Sequence, residues 1–541
     1  MCFVHPRDSR ACSPWCPPRL SSHTPTGLGV AGRSVERVAR VVVIGAGVGG
    51  LATGVRLAAL GHRVTLCEAA PVVGGKLGRQ HTSTPLGTFT FDTGPTLLTL
   101  PQVFDDLFAA TGAPLTDVLP LRRLDTIAHY RFADGASVDT VDDLDRQRQA
   151  FDDALGPGTG AAWRRVVDRG AAIWRAVEEP VFGASLSTRS LFALGRRLAR
   201  VEDLRAVAPH RTLRAVSRSL LSDPRQRLML ERYATYEGSD PRHAPAALAV
   251  VPYLEHRFGA WYVDGGVHRL ADAMADRFQA LGGDLRLGTR VERVGSAAGR
   301  VTHVELTGGE RLPADVVVSD ADANVLYGEL HHRRRPVPPA DSLGGFVLLL
   351  AVRNPLPDLG HHNVFFGAAP YEDEFDAVFG TRAGLRRRSV GRPVVDPVLY
   401  VNAPSDPAVA PPGCRAVYVL VNAPRHGRDS APGTLDWTAP GLAGRYADTV
   451  LEQLAARGLD VRTDVVARDV RTPADLERET GAPGGAIYGK VQHGALATVG
   501  RPHNRARTRG LFLVGGSTHP GGGLPLVALS ARAVAADIGP A

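Results

Sequence analysis

The stretch from Val41 to Glu68 constrains the fold of this chain more than any other. An apolar run, Val41-Val42-Val43-Ile44, leads into Gly45-Ala46-Gly47-Val48-Gly49-Gly50, and Leu51 to Leu60 then read as a helix ending at Gly61. Arg63-Val64-Thr65-Leu66-Cys67 follows as a second short strand with an acid, Glu68, at its tip. Together these make one complete βαβ unit. Gly45 permits the tight turn, Gly47 lets a pyrophosphate approach the backbone, and Gly50 allows the helix to pack closely on the strand. The helix N-terminus, with Gly49 in the same loop, favours the anion, and Glu68 is placed to accept hydrogen bonds from a ribose.

Two further segments bear on which dinucleotide is held. Gly74-Gly75-Lys76 resembles the Gly-Gly-basic extension of flavin oxidoreductases, in which backbone and cation help to hold FAD. The chain has only two lysines among 63 basic residues, Lys76 and Lys490, and both stand in glycine-rich segments. Near the other end, Leu511-Phe512-Leu513-Val514 reads as a buried strand, followed by the glycine-rich run from Gly515 and Gly516 to Leu524 and Pro525. Those glycines let the chain pass close to the flavin before a helix from about Leu524 to Ile538, whose N-terminus stabilises negative charge there.

Three motifs carry a family resemblance: Phe91-Asp92-Thr93-Gly94-Pro95-Thr96, Tyr233-Ala234-Thr235-Tyr236-Glu237-Gly238-Ser239-Asp240-Pro241, and Gly510 to Gly515 with His519-Pro520-Gly521. In this order and over about 500 residues, the chain resembles the bacterial and fungal phytoene desaturase family. The resemblance implies FAD as cofactor, an acyclic C40 carotenoid as substrate, and desaturation by hydride transfer to flavin N5. It places Gly94, Pro95, Thr96 and Val291 against the cofactor, and makes Glu237 and His519 candidate bases. For both, a structural role is the alternative: His519 stands before Pro520, where it can shape the turn, and Glu237 has no partner visible in sequence. Gly516 stands where related amine oxidases carry an acid. Gly521-Gly522-Gly523 resembles the subset acting nearer the chain ends, the 3,4-desaturases and terminal oxidases, and related flavoproteins isomerise polyenes without net redox change. A single complete dinucleotide fingerprint, used by FAD, favours a quinone or dioxygen over NAD as electron acceptor.

The expected fold class is α/β: a discontinuous Rossmann-type FAD-binding domain from residues 38–110, 262–325 and 480–541, with an α+β substrate domain from 111–261 and 326–479. At 541 residues the chain exceeds what a single core supports. Residues 1–37, rich in Pro, Ser, Thr and Arg, read as a disordered tail without the apolar segment of a signal peptide. Five cysteines without a CxxC pair argue against disulfides or a metal site and fit a reducing cytoplasm. No stretch reaches the ~18 apolar residues of a membrane span. Between Ser185 and Arg232, however, 11 arginines face 4 acids. Leu191, Leu194, Leu198 and Val201, and again Leu213, Val216 and Leu220, fall on apolar faces beside them. Such basic amphipathic helices suit the surface of an anionic bilayer, giving a cytoplasmic enzyme peripherally associated with the cell membrane. The alternative is that both stripes pack in the core. No aromatic interleaving accompanies the charge, which disfavours nucleic acid.

Overall fold

The computed structural model describes residues 38–541 except 184, 332–338, 382–388, 430, 495–496 and 498–499. The expected tail, 1–37, lies outside the described residues. A five-stranded parallel sheet organises the nucleotide-binding part, in the order Leu511–Leu513, Val316–Ser319, Arg40–Ile44 (β1), Arg63–Cys67 (β2), Asp284–Arg286. In β1, Val42 pairs with Val317 on one side and Thr65 of β2 on the other. A strand paired on both edges and covered on both faces has no polar side, so it reads as an unbroken valine run. Helices Val48–Ala59 (α1), Arg269–Ala280 and Leu524–Ile538 cover one face. An antiparallel sheet of Val291–Ala297, Arg300–Leu306 and Arg311–Pro313 packs against the other. The helix expected from Leu51 starts at Val48, capped by Gly47. Gly49 and Gly50 are therefore in its first turn, where the backbone N–H groups have no intrahelical acceptor.

The chain leaves β1 for β2 on one side, while Val316–Ser319 joins from the other. This reversal of strand order opens a crevice at the carboxyl ends of the strands, the place where open α/β sheets take ligands.

The second sheet has seven strands, in the order Val465–Arg471, Gly344–Val352, Arg415–Ala423, Leu399–Asn402, His362–Phe365, Thr126–Arg131, Ser137–Val141. All pairings are antiparallel except that of His362–Phe365 with Thr126–Arg131. Gly344–Val352 is buried throughout. Phe346 and Leu348 face helix Leu442–Ala456, whereas Val347 and Leu349 meet Phe89 and Phe91 of the hairpin Arg79–Thr84/Gly87–Asp92. That hairpin falls, by sequence, in the nucleotide-binding part, yet its aromatic face completes the core of the other sheet.

The basic region departs from expectation in two ways. Helix Thr188–Leu198 stops, Arg200 is extended, and a separate helix covers Val201–Val207, so Val201 does not continue the Leu191 face. The stripe at Leu213 and Val216 is core: both side chains are fully buried, and Arg214 pairs with Glu231 at 2.8 Å. Leu191, Phe192, Val201 and Leu204 remain exposed, Phe192 by 67%. Among the described residues, no helix is long and apolar enough to cross a membrane.

Candidate cofactor and substrate site

The crevice at the end of the parallel sheet opens into a cavity of about 1590 Å³ that continues across the seven-stranded sheet. Pockets for one small ligand measure roughly 300–1,000 Å³, so there is room here for a dinucleotide and a second ligand. Of the residues expected at the cofactor, Gly45, Gly47, Gly49, Glu68, Gly74, Gly75, Lys76, Gly94, Pro95, Thr96, Val291, Gly516, Leu524 and Pro525 line it. Gly50 and Gly515 stand just behind. A Cβ on Gly50 would overlap the carbonyl oxygen of Gly45, and one on Gly515 would overlap the carboxylate of Asp320.

Local hydrogen bonds fix the cradle. Gly45 donates to the Cys67 carbonyl at 2.8 Å, tying the turn to β2, and Gly74 donates to Ala46 at 2.8 Å. Glu68 bridges both loops: Oε2 accepts from the Ala46 N–H at 2.6 Å and Oε1 from that of Ala70 at 2.8 Å. Lys76 is half-buried and donates to the carbonyls of Ala486 and Ile487 at 3.0 and 2.7 Å. Burial pushes its ammonium below the usual range, opposed by the carboxylates of Asp322 and Asp320. Lys76 thus ties the Gly74-Gly75 loop to the segment after Ala482. Thr96 Oγ1 lies 2.7 Å from Tyr400 Oη, joining the Gly94-Pro95 turn to the second sheet. Glycines that a side chain would block, a helix N-terminus and an acid at the tip of β2 form a cradle that fits FAD.

Asp320 is a site residue that the sequence analysis missed. It ends the strand Val316–Ser319 beside β1, lines the cavity, accepts from the Gly50 amide, and lies where a Cβ on Gly47, Gly49 or Gly515 would fall. Burial pushes its carboxyl up to about 7; Glu68 adds to this, while the Gly50 hydrogen bond and Lys76 oppose it. A pyrophosphate held in this cradle would repel the ionised form, so FAD and a protonated Asp320 would favour each other. FAD affinity is therefore expected to be highest below pH 7 and to fall as pH rises through 7, by up to about tenfold per pH unit. Asp320→Asn, neutral at every pH, should flatten that profile in fluorescence titrations. A wild-type dissociation constant constant from pH 6 to 9 would contradict the coupling.

Neither candidate base lines the cavity. Glu237 lies behind the C-terminal glycine turn, where its Oε2 accepts from Arg501 Nη2 at 3.1 Å. Arg501 is itself fully buried and donates through Nη1 to the carbonyls of Tyr488 and Gly516, both at 2.9 Å. Burial raises the Glu237 carboxyl to about 7 against the pull of Arg501. His519 is buried, its amide donating to Pro502 at 3.0 Å and its carbonyl accepting from Asn504 Nδ2 at 2.8 Å. Both residues therefore support the wall from behind. Among the described residues no cluster of His, Cys, Asp or Glu could hold a metal ion.

Comparisons with known proteins point to the same cofactor. A family model described as flavin containing amine oxidoreductase matches residues 48–359. The chain is 34% identical to 4,4'-diapolycopene oxygenase of Methylomonas sp, covering 92% of this chain and 97% of that protein. It is likewise 34% identical to hydroxyneurosporene desaturase of Cereibacter sphaeroides, covering 93% and 97%. Among solved structures, an oxidoreductase from Methanosarcina mazei shares the fold with a TM-score of 0.57 at 17% identity, covering 92% of this chain and 99% of that one.

Proposed function

Because the chain belongs to the carotenoid desaturase family of FAD-dependent oxidoreductases, we propose that it dehydrogenates an acyclic C40 carotenoid, with phytoene the parent substrate. The observation that carries this reading is the single cavity joining the FAD cradle to a passage walled by Ile127, Val347, Val364, Val398 and Leu420. When bound, FAD supplies the two-electron acceptor for hydride. The chain's own residues then bind, orient and exclude water: Gly45 to Gly50 and Glu68 hold the dinucleotide, the Thr96–Tyr400 hydrogen bond braces the turn beside it, and the aliphatic wall takes the polyene. A later, already conjugated polyene is the second reading, favoured by Gly521-Gly522-Gly523 and by the names of the two relatives. A quinone or dioxygen takes the electrons.

Expression in cells that accumulate phytoene, neurosporene or lycopene tests both readings, with the pigments resolved by chromatography and absorption. Products with added conjugated double bonds are expected from one of these strains. Unchanged pigment in all three, from protein shown to carry FAD, would sink the desaturase reading. Rearranged double bonds with no loss of hydrogen would make the enzyme an isomerase.

A forty-carbon hydrocarbon would lose on the order of 30 kcal/mol on leaving lipid for water, at about 0.8 kcal/mol per carbon. Uptake from a bilayer on the cytoplasmic face follows. The exposed Leu191, Phe192, Val201 and Leu204, interleaved with Arg196, Arg197 and Arg200, support docking there. Wild-type protein is expected to sediment with anionic vesicles, and Phe192→Glu to weaken that binding about tenfold. Wild-type protein left in the supernatant would remove the docking surface from the reading.

A further inference from the structure

Desaturation releases a proton as well as a hydride, and neither Glu237 nor His519 reaches the cavity to take it. Glu255 does. It belongs to helix Val251–Phe258, lines the cavity and is 4% exposed. Its Oε2 accepts from Tyr233 Oη at 2.5 Å. Its Oε1 has no hydrogen-bond partner among the described residues and, unlike His362 Nε2 and the Tyr371 hydroxyl, is not sealed inside the protein, so this oxygen opens to the cavity. Among the described residues no cation comes within ion-pairing distance, 4.0 Å, of the carboxyl.

Two connections place Glu255 relative to the cofactor cradle. Leu98, just past the Gly94-Pro95 turn, exchanges backbone hydrogen bonds with Trp261, which follows the Glu255 helix. Thr96 of the same turn lies 2.7 Å from Tyr400 Oη, the Arg232 guanidinium lies 5.6 Å from the centroid of the Tyr400 ring, and the charge of Arg232 reaches Glu255. The carboxyl thus stands on the passage beyond the turn, apart from Glu68 and Asp320 in the pyrophosphate cradle. Burial pushes it up to about 7, opposed by the Tyr233 hydrogen bond and by Arg232. Tyr130 and Tyr236 also face it, and burial pushes both phenols up, which leaves them protonated. A carboxyl that changes charge near neutral pH is suited to general base catalysis.

We infer that Glu255 Oε1 takes the proton that leaves the polyene, with Tyr233 holding the carboxylate in place. This rests on the desaturase reading and deepens it by assigning the base. On the carbon next to the one that loses hydride, a C–H bond breaks, its electron pair forms the new double bond, and the proton forms an O–H bond at Oε1. The hydride goes to FAD, the acceptor that the desaturase reading already supplies. Loss of hydride beside a polyene makes the neighbouring C–H acidic, so a carboxylate is a strong enough base. Glu255 returns the proton to water before the next turnover.

The test follows flavin bleaching when FAD-saturated enzyme is mixed anaerobically with phytoene, neurosporene or lycopene in detergent micelles. Saturation removes the effect of Asp320 on FAD binding. Wild-type bleaching is expected to slow as pH falls below about 7, approaching tenfold per pH unit once the carboxyl is protonated. Glu255→Gln keeps an acceptor for Tyr233 and should lower the rate by on the order of 100–10,000-fold, with flavin content unchanged and the residual rate flat in pH. Tyr233→Phe removes a hydrogen bond that favours the ionised form, so the inflection should move up by roughly one pH unit, a shift that a purely structural tyrosine would not produce. If Glu255→Gln retains most of its rate or loses it only in step with its flavin, or if Tyr233→Phe leaves the inflection in place, the proton goes elsewhere and the assignment is overturned. Wild-type enzyme bleached by none of the three polyenes would reject the desaturase reading, and the base with it.

Discussion

Replacing Arg501 by methionine is expected to destabilise the protein by about 3–5 kcal/mol and to leave it depleted of flavin. Arg501 is one side chain with three acceptors from distant parts of the chain: the Glu237 carboxylate and the carbonyls of Tyr488 and Gly516. Removing it strands a mostly buried carboxylate and two half-buried carbonyls. The stranded carboxylate is the larger part, since an unpaired charge in the interior is far more costly than an unpaired neutral group. It can relieve itself by taking a proton, so the loss should be smaller at pH 5 than at pH 8. Glu237→Gln added to Arg501→Met should recover part of the stability. Urea unfolding followed by circular dichroism, with the flavin-to-protein absorbance ratio, provides the measurement. If the single variant unfolds with the wild type, or the double variant is no better than the single, the pair does not brace the cavity wall.

Gly50→Ala is expected to reduce bound FAD to less than about a tenth, with a stability loss of roughly 1–3 kcal/mol from overpacking. The added methyl group would overlap the carbonyl of Gly45, so α1 must move off β1 or the turn must open. Either displacement would misalign the first-turn amides proposed to receive the pyrophosphate. Gly444→Ala is the matching control: its added carbon meets no atom within 4 Å, and it sits exposed in the first turn of helix Leu442–Ala456. There alanine should add at most about 0.5–1 kcal/mol, the gain of a helix interior, with flavin content unaltered. Retention of full flavin by Gly50→Ala would refute the cradle as built.

What could be read in advance follows from how far apart the interacting residues lie. The βαβ unit was legible because strand, turn, helix and acid occur within residues 41–68, each with its own local pattern. The C-terminal helix was legible for the same reason and runs from Leu524 to Ile538 as expected. Glu237 was not, because its partner Arg501 is 264 residues away and nothing near either residue announces the other. Asp320 was not legible either, because its place among three glycines depends on the strand Val316–Ser319 lying beside β1. The arginine-rich region misled in a different way. Periodicity treats Leu191 to Val201 as one face, whereas the helix breaks at Arg200. The pattern of Leu213 and Val216, which resembles the first stripe, is buried in the core. Amphipathic spacing reports that a face is apolar and not what covers it.

The edge strand Leu511–Leu513 and helix Leu524–Ile538 have a bearing on biosynthesis. The helix packs in the same core as α1, and the strand flanks Val316–Ser319, so two walls of the nucleotide site are translated more than 400 residues after the first βαβ unit. Until they emerge, the first βαβ unit waits with part of its apolar surface uncovered, a state open to aggregation and proteolysis during synthesis. Flavin supply can then protect the newly made chain only after residues 511–538 have joined it, and vitamin shortage would act on the yield of this protein at that step.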